Sequence, residues 1–411
     1  MAVIRPFSAL RPEKSVAHLV ASVPYDVVNR DEAALYAKDF PFSYLRITRA
    51  EIELDPKINP YSNEVYSKAK ENLEKIKKEA PLVTDDKPHF YIYKLIMGEQ
   101  QQTGIAATFS VDDYDNNIIL KHEKTRKEKE DDRTNHIVTT EAQTGPVFLT
   151  YRAVKTIDEL VNETMSETEP LYDFTAPDGI RHTIWILPDE YNQTIIDEVS
   201  RVNYLYIADG HHRAASASRA QKVKKENNPK HTGQEEYNFF LAVLFPAEQL
   251  KIMAYNRAVF DLNGLSQDEF FEKIKEFFTL EETESAEPSG RREIAMYFDC
   301  KWYLLKPNSK VKQSQNVGDN LDVSILQNYL LNPVLGIDDP RTNKRIDFIG
   351  GIRGTKELEN LVNSGRAKVA FSMYPVSVDE LMDIADAGEI MPPKSTWFEP
   401  KLRDGLLVHL I

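Results

Sequence analysis

Residues 205–220 constrain the fold of this chain more than any other stretch. The apolar run Leu205–Ile207 predicts a short buried strand, Asp209-Gly210 predicts a sharp turn, and Ala214–Ala220 predicts the start of a helix. A strand that turns directly into a helix leaves backbone N–H groups directed at one point. The positive end of the helix dipole favours an anion there, so the sequence predicts an anion site at this turn.

The side chains at the predicted turn are ionisable. Asp209 ends the strand, and His211, His212 and Arg213 open the helix. A purely structural interpretation is also available, because an Asp can cap a helix and paired His side chains can hydrogen-bond to buried carbonyls. We favour phosphate chemistry, since Arg213 adds a permanent positive charge to the strand–turn–helix context.

The length and pattern of the chain predict an α+β protein with mixed sheets in more than one unit. A chain of 411 residues exceeds what a single hydrophobic core usually supports. We expect an N-terminal α+β unit over residues 1–115, a core with the 209–213 motif over 116–260, and a C-terminal α+β unit over 261–411.

Local patterns predict the individual elements. Residues 31–39 and 62–80 are predicted helices, 42–48 is a predicted strand, and 90–96 with 103–111 form a predicted antiparallel hairpin. The highly charged stretch Lys121–Thr140 is, by composition alone, a solvated helix. Residues 222–237 are polar and are predicted to form a loop.

Composition restricts the partners of the protein. The formal net charge is −14, with 51 basic against 65 acidic residues, which argues against a nucleic-acid-binding surface. Any phosphate site must therefore be a local basic pocket. A single cysteine, Cys300, fits a reducing compartment. The N-terminus lacks the pattern of a signal peptide and no apolar run approaches ~20 residues, so we expect a cytoplasmic protein without a membrane partner.

The motif Asp209–Arg213 resembles the corresponding motif of the ParB/sulfiredoxin-like superfamily, which includes free serine kinases and nucleotide-hydrolysing partition proteins. Over residues 6–406 the chain is identified as a member of the domain family of unknown function 1015, members of which are linked to serine phosphorylation by pyrophosphate. The segments that carry this resemblance are 23–28, 42–47, 122–125, 336–341, 345–351 and 391–400.

The resemblance implies a ParB/sulfiredoxin-like catalytic core. It also implies a phosphotransferase with an alcohol group as acceptor, which moves a phosphoryl group from inorganic pyrophosphate to free L-serine and yields O-phospho-L-serine. The alternatives are a kinase that uses ATP or ADP, the reverse reaction that consumes phosphoserine, and a ParB-like nucleotide-binding switch. The sequence leaves open whether the chain forms a homodimer.

Phosphoryl transfer needs a carboxylate near the acceptor hydroxyl and cations around the phosphates. Asp209 is predicted either to hold Mg²⁺ or to accept the hydroxyl proton. Glu123 is the predicted general base, because the free serine kinases carry a His-Glu pair ahead of the turn, and Glu141 is its rival. The residues predicted to bind phosphate are His122, Lys124, Arg126, Arg133, His211, His212, Arg213 and Arg341.

Recognition of a serine zwitterion requires an anion for the ammonium group and a cation for the carboxylate. Tyr25 and Asp26 are predicted to bind the ammonium group, and Arg46 the carboxylate. Tyr25-Asp26 is equally consistent with a cap for the helix predicted at 31–39.

Overall fold

The structure is a computed structural model that describes residues 1–79 and 82–411. The chain folds into two compact units. The first comprises residues 1–121, 125–250 and 400–411, and the second comprises residues 122–124 and 251–399. The change of unit at 250/251 lies close to the predicted boundary at 260/261, and the predicted segments 1–115 and 116–260 fall largely in the first unit.

The strands lie in both units and are numbered in chain order. They are β1 Ile4–Arg5, β2 Leu10–Pro12, β3 Leu82–Thr84, β4 Tyr91–Met97, β5 Gln100–Ser110, β6 Ile119–Leu120, β7 Ala142–Gln143, β8 Val147–Tyr151, β9 Tyr172–Thr175, β10 Arg181–Ile186, β11 Leu205–Asp209, β12 Phe239–Pro246, β13 Ile252–Met253, β14 Tyr255–Val259, β15 Phe278–Thr283, β16 Ile294–Phe298, β17 Lys301–Pro307, β18 Ile346–Gly350, β19 Val369–Met373, β20 Trp397–Phe398 and β21 His409–Leu410.

The α-helices are interspersed with these strands. They are α1 Ala17–Val20, α2 Arg30–Ala37, α3 Leu45–Thr48, α4 Asn63–Glu79, α5 Val111–Asp115, α6 Lys127–Thr140, α7 Lys155–Glu167, α8 Asn192–Arg201, α9 His211–Glu226, α10 Gln267–Lys275, α11 Asp322–Leu326, α12 Gly354–Asn363 and α13 Val378–Asp386. Among the described residues, no helix is both long enough and apolar enough to cross a bilayer.

The main sheet of the first unit is mixed. Its strand order is β6-β11-β8-β12-β5-β4-β10-β9, with β1 paired to β5. The pairs β6/β11 and β8/β12 are parallel, whereas the other pairs are antiparallel. Strand β12 is buried along its whole length, as expected for a strand with neighbours on both sides. The predicted α+β class with mixed sheets is confirmed in this unit.

The second unit contains an antiparallel sheet with the order β15-β17-β16-β19-β14-β18. Helix α12 packs Leu358 and Leu361 against Ala258 of β14 and Ala370 of β19. Helices α10 and α13 begin with capping boxes, in which a serine and a glutamate three positions later satisfy each other's backbone N–H groups.

Most predicted elements are confirmed, and two are wrong. The hairpin is formed by β4 and β5, and the 62–80 prediction corresponds to α4, except that residue 80 lies outside the described residues. The strand predicted at 42–48 is instead the short helix α3, because the turn accepts hydrogen bonds from within the chain segment around Val20 and Ser22. The loop predicted from residue 222 begins only after α9 ends at Glu226.

Candidate functional site

The predicted strand–turn–helix is confirmed in the first unit. Strand β11 ends at Asp209, Gly210 has a φ of 90°, and α9 begins at His211. This left-handed backbone conformation favours glycine, which has no Cβ to clash. The Gly210 carbonyl accepts hydrogen bonds from the N–H groups of Arg213 and Ala214. The turn therefore places Asp209 beside the positive end of a helix of 16 residues.

Asp209 forms an ion pair with Lys401 near the C-terminus. The Asp209 Oδ2 atom lies 2.5 Å from Lys401 Nζ, and Oδ1 accepts a hydrogen bond of 2.8 Å from the Gly210 N–H. Burial alone would raise the pKa of Asp209, but attraction to the Lys401 ammonium and these hydrogen bonds hold it well below its usual value. Asp209 is therefore an ionised carboxylate at neutral pH.

A small polar pocket surrounds this ion pair. It combines two carboxylates, Asp26 and Asp209, with two cations, Arg213 and Lys401. The remaining lining residues are Pro24, Pro146, Phe148, Gly210 and Leu402. The pocket thus brings together three of the predicted site residues from distant parts of the sequence, and it adds a lysine.

Arg213 is fixed by a second buried ion pair. Its guanidinium donates to both Asp404 carboxylate oxygens, at 2.8 and 3.3 Å, and to the Pro146 carbonyl at 3.4 Å. Asp404 is 1% exposed. Gly145 lies directly against the pair, since a Cβ built there would be 1.7 Å from Arg213 Nη1 and 2.2 Å from Asp404 Oδ1. The sequence around Gly145 is therefore shaped to the ion pair.

A second cavity lies on the other side of Arg213. The Tyr25 ring has the guanidinium carbon of Arg133 at 4.3 Å and that of Arg213 at 5.4 Å from its centroid. Arg133 also donates to Asp132 at 2.9 Å, and His136 Nε2–H donates to the Ile47 carbonyl at 3.1 Å. The cavity is lined by Tyr25, Arg133, His136, Ile137, Gln143, Thr144, Gly145, Val147, Arg213, Ala217, Phe240, Leu241 and Asp404.

Burial sets the charge states around this second cavity. It is the main reason why the pKa of Tyr25 is raised, so the phenol is neutral at physiological pH. Burial and the nearby Arg133 guanidinium lower the pKa of His136 to about 3. The cavity therefore presents fixed guanidinium charges beside neutral hydrogen-bonding groups.

The two histidines at the start of α9 differ in their surroundings. His211 is 5% exposed. His212 accepts a hydrogen bond of 3.0 Å on Nε2 from the backbone N–H of Arg126. Nε2 of His212 therefore carries no proton in this arrangement, and His212 can donate to a ligand only through Nδ1.

Comparison with known proteins places the chain in a family. The family model described as "Protein of unknown function (DUF1015)" matches residues 4–324. The chain belongs to the DUF1015 family. A search of curated proteins finds no match.

Solved structures with a related fold include three that bear on the family. A conserved hypothetical protein from Pyrococcus furiosus is 14% identical, with a TM-score of 0.36 over 75% of this chain and 95% of that chain. A mutant free serine kinase in complex with AMP is 13% identical, with a TM-score of 0.38 over 74% and 91%. C-terminally truncated SbnI from Staphylococcus aureus is 13% identical, with a TM-score of 0.39 over 74% and 87%. TM-scores below 0.5 give no basis for transferring an activity.

Several predicted site residues of this DUF1015 protein lie elsewhere. Arg46 pairs with Glu53 at 2.5 Å and donates to the Ala37 carbonyl at 2.7 Å, so its guanidinium is engaged within the fold. Arg341 belongs to the second unit, where it pairs with Asp339 across a turn. The roles predicted for both remain predictions.

The segment that carries the predicted general base is assigned to the second unit. His122, Glu123 and Lys124 form that segment, and the His122 carbonyl accepts a hydrogen bond of 2.8 Å from the Met391 N–H. Arg126 is exposed in the first unit and precedes α6. Glu141, the rival base, is an exposed residue that pairs with Lys224 at 3.1 Å and with Lys70 at 3.5 Å.

Sequence reasoning missed Lys401 and Asp404. Both follow directly on the 391–400 segment of the family resemblance, yet they lie 192 and 191 positions from their partners Asp209 and Arg213. No periodicity or local spacing links residues so far apart. The only signal is the acid–base alternation of Lys401, Arg403 and Asp404 at the end of the chain.

The arrangement of Asp209 bears on the predicted magnesium site. Mg²⁺ binds oxygen ligands at about 2.0–2.1 Å and keeps several waters. The Lys401 ammonium lies against one Asp209 oxygen and the Gly210 N–H against the other. As arranged, this carboxylate fits an ion pair with Lys401 and not direct metal ligation. A magnesium requirement of this DUF1015 protein therefore remains a prediction.

Proposed function

We propose that this DUF1015 protein is a phosphotransferase that moves a phosphoryl group from inorganic pyrophosphate to the hydroxyl of free L-serine. The serine oxygen attacks one phosphorus, the bridging P–O bond breaks, and O-phospho-L-serine and phosphate are formed. The hydroxyl proton passes to a carboxylate and then to the released phosphate. The proposal includes a ParB/sulfiredoxin-like core over residues 116–260.

One observation carries the proposal: an ionised Asp209 at the positive end of α9 shares a pocket with the cations Arg213 and Lys401. Phosphoryl transfer depends on positioning and on stabilisation of charge that spreads over the phosphoryl oxygens. A lysine, an arginine and a helix N-terminus supply that stabilisation, and Asp209 is available to orient the acceptor hydroxyl. The same pocket thus supports both halves of the reaction.

The second carboxylate of the pocket supports an amino-acid acceptor. Asp26 lines the pocket together with Asp209, and we assign to it the ammonium group of serine. The cation for the serine carboxylate is not supported at Arg46, because that side chain is engaged with Glu53 and a carbonyl. The base role of Glu123 rests on the family resemblance.

The decisive experiment is a phosphoserine-formation assay on the full chain. L-Serine is incubated with pyrophosphate, ATP or ADP in parallel, with and without magnesium, and O-phosphoserine and phosphate are quantified. The variants are Asp209→Asn and Glu123→Gln, and Asp197→Asn on α8 is the matched control.

We expect turnover with pyrophosphate, a loss of at least about 10²-fold in Asp209→Asn, and an unchanged rate in Asp197→Asn. Turnover with ATP or ADP alone would contradict the proposed donor. No phosphoserine with any donor would contradict the kinase itself. A rate in Asp209→Asn equal to that of the unmodified protein would remove this carboxylate from the chemistry.

A further inference from the structure

The second unit contains a buried arginine in the middle of its sheet. Arg257 lies on β14, pairs in register with Phe348 of β18 and Phe371 of β19, and is 3% exposed. Its neighbour Ala258 points to the opposite face, which α12 covers. Arg257 therefore belongs to the face of the sheet that α12 does not cover.

The partners of Arg257 are all neutral. Its guanidinium donates to the Tyr255 carbonyl and, at 3.1 Å, to the Lys394 carbonyl. Within residues 1–79 and 82–411, no carboxylate forms an ion pair with it. Burial lowers the pKa of Arg257 to about 10. A guanidinium has five N–H donors, so carbonyls engage only part of its capacity.

Other buried arginines of this protein have acidic partners. Arg213 pairs with Asp404, Arg133 with Asp132, and Arg403 with Asp178. A buried charge without an opposite charge is costly, because the interior does not replace its hydration. Arginine also remains protonated at physiological pH. The second unit thus holds a positive charge for which the chain supplies no anion.

The surroundings of Arg257 are aromatic and contain a second cation. Its guanidinium carbon lies 5.4 Å from the Phe348 ring centroid, and Lys394 Nζ lies 5.4 Å from that of Tyr255. Tyr255 stacks on Trp397 at 5.1 Å. Trp397 in turn packs on Gly350, where a Cβ would lie 2.7 Å from the indole ring.

The segment that crosses this face has an unusual backbone conformation. Lys394 has a φ of 59°, which is uncommon for a residue with a side chain, and its carbonyl is the one that Arg257 contacts. Strained residues of this kind concentrate at ligand sites. The Met391–Trp397 segment and β14 therefore form one arrangement around a buried cation.

We infer that the second unit carries an oxyanion-binding site with Arg257 as its principal donor and Lys394 as its second cation. The ligand is a small molecule that bears a phosphate or carboxylate group. Both groups match the planar fork of a guanidinium, which binds them through two parallel hydrogen bonds.

The site stands independently of the proposed function, because it is detected by binding without turnover. Where the proposed function holds, the oxyanion belongs to pyrophosphate or to the carboxylate of serine. The two sources are distinguished with L-serinamide, which keeps the serine hydroxyl and ammonium groups and lacks the carboxylate.

Binding is measured by calorimetry on the full chain at constant ionic strength, with pyrophosphate, inorganic phosphate, L-serine and L-serinamide as separate ligands. The variants are Arg257→Met, which removes the charge, and Arg257→Lys, which keeps it without the fork. Arg366→Met is the control, since Arg366 is exposed in the same unit and lies 3.8 Å from Glu357.

We expect Arg257→Met to lose at least about 10-fold in affinity for one class of oxyanion, and Arg366→Met to lose none. A loss confined to pyrophosphate and phosphate assigns a phosphate group. A loss for L-serine but not L-serinamide assigns the carboxylate. Unchanged affinity for every ligand in both Arg257 variants would overturn the inference.

Folding of the variant gives a second measure. Without ligand, Arg257→Met should melt no lower than the unmodified protein, because it removes an uncompensated buried charge. The stabilising effect of the bound oxyanion on the melting temperature should be smaller in the variant. If Arg257→Met fails to fold, the affinities of Arg257→Lys decide: a tenfold loss supports the site, and unchanged values overturn it.

Discussion

The Asp209 carboxylate and the Lys401 ammonium lie 2.5 Å apart, although 192 positions separate them in the chain. This contact ties the C-terminal segment of the first unit to the end of β11. It also brings a mobile point charge to the positive end of α9, next to the carboxylate that the motif supplies. The charge balance of the pocket therefore depends on the last turn of the chain.

Replacing Lys401 with Met should reduce phosphoserine formation by about 10²-fold or more, because the pocket loses a cation and Asp209 loses its partner. The pKa of Asp209 should rise as the attraction disappears. The measurement is kcat and KM for pyrophosphate and serine. Lys224→Met, which breaks the pair with Glu141, is the control and should leave both constants unchanged. Equal kinetics for Lys401→Met and the unmodified protein would exclude Lys401 from the chemistry.

Arg213 and Asp404 should each contribute to stability through their buried ion pair. Removing one partner in Arg213→Met or Asp404→Leu leaves a buried charge, so each should lower the free energy of unfolding by about 3–5 kcal/mol. The double variant should be more stable than the sum of the single losses predicts. Denaturant unfolding provides the values.

The control for this double-mutant cycle is the exposed pair Lys155–Glu159 on α7, for which we expect a coupling of about 0.5 kcal/mol or less. Additive losses for Arg213 and Asp404 would show that the pair is not coupled. Where the Arg213 variant stays folded, its KM for pyrophosphate should rise more than its KM for serine.

Gly145→Ala should be strongly destabilising. The added methyl group would overlap Arg213 Nη1 and Asp404 Oδ1, so the ion pair has to separate or the backbone has to move. We expect a loss of about 3 kcal/mol in the free energy of unfolding, close to that of breaking the pair. Gly290→Ala is the matched control, since a Cβ there meets nothing within 4 Å. Similar effects of the two substitutions would contradict the proposed fit.

His136 should make stability depend on pH. Its pKa is lowered from 6.5 to about 3 by burial and by Arg133. As the pH falls below 6.5 the unfolded chain binds a proton that the folded protein refuses, so stability is lost between pH 6.5 and 3. This single group contributes a slope of up to about 1.4 kcal/mol per pH unit.

In His136→Gln this contribution should be absent, and the difference in unfolding free energy between pH 7 and pH 4 should shrink. His18→Gln, at an exposed position, should keep the pH dependence of the unmodified protein. A pH profile of His136→Gln identical to that of the unmodified protein would show that His136 is protonated in the folded state.

Local patterns were sufficient for the elements that form around their own sequence. The apolar run before Asp209, the turn at Gly210 and the Ala/Ser run after it predicted β11 and α9, because backbone preferences and burial agree there. The same reasoning placed a strand at 42–48. It failed because β-branched and aromatic residues there pack as the short helix α3 against Val20 and Ser22.

The candidate site was only partly predictable. Asp26, Asp209 and Arg213 stand in motifs that identify them, and they share a pocket. Lys401 and Asp404 complete the ion pairs of that pocket from the end of the chain, and Arg257 lacks an acidic partner for reasons visible only in three dimensions. A pair of charges has no sequence pattern when its members lie on different strands and loops.

The sequence by itself determined the family, the α+β class and the ionisable turn of residues 209–213. These depend on short-range preferences and on side chains close together in the chain. Only the tertiary structure decided which cations face Asp209 and which buried arginine has no counter-charge. Electrostatic energy depends on distance through space and on burial, and both are set by the packing of segments that are remote in sequence.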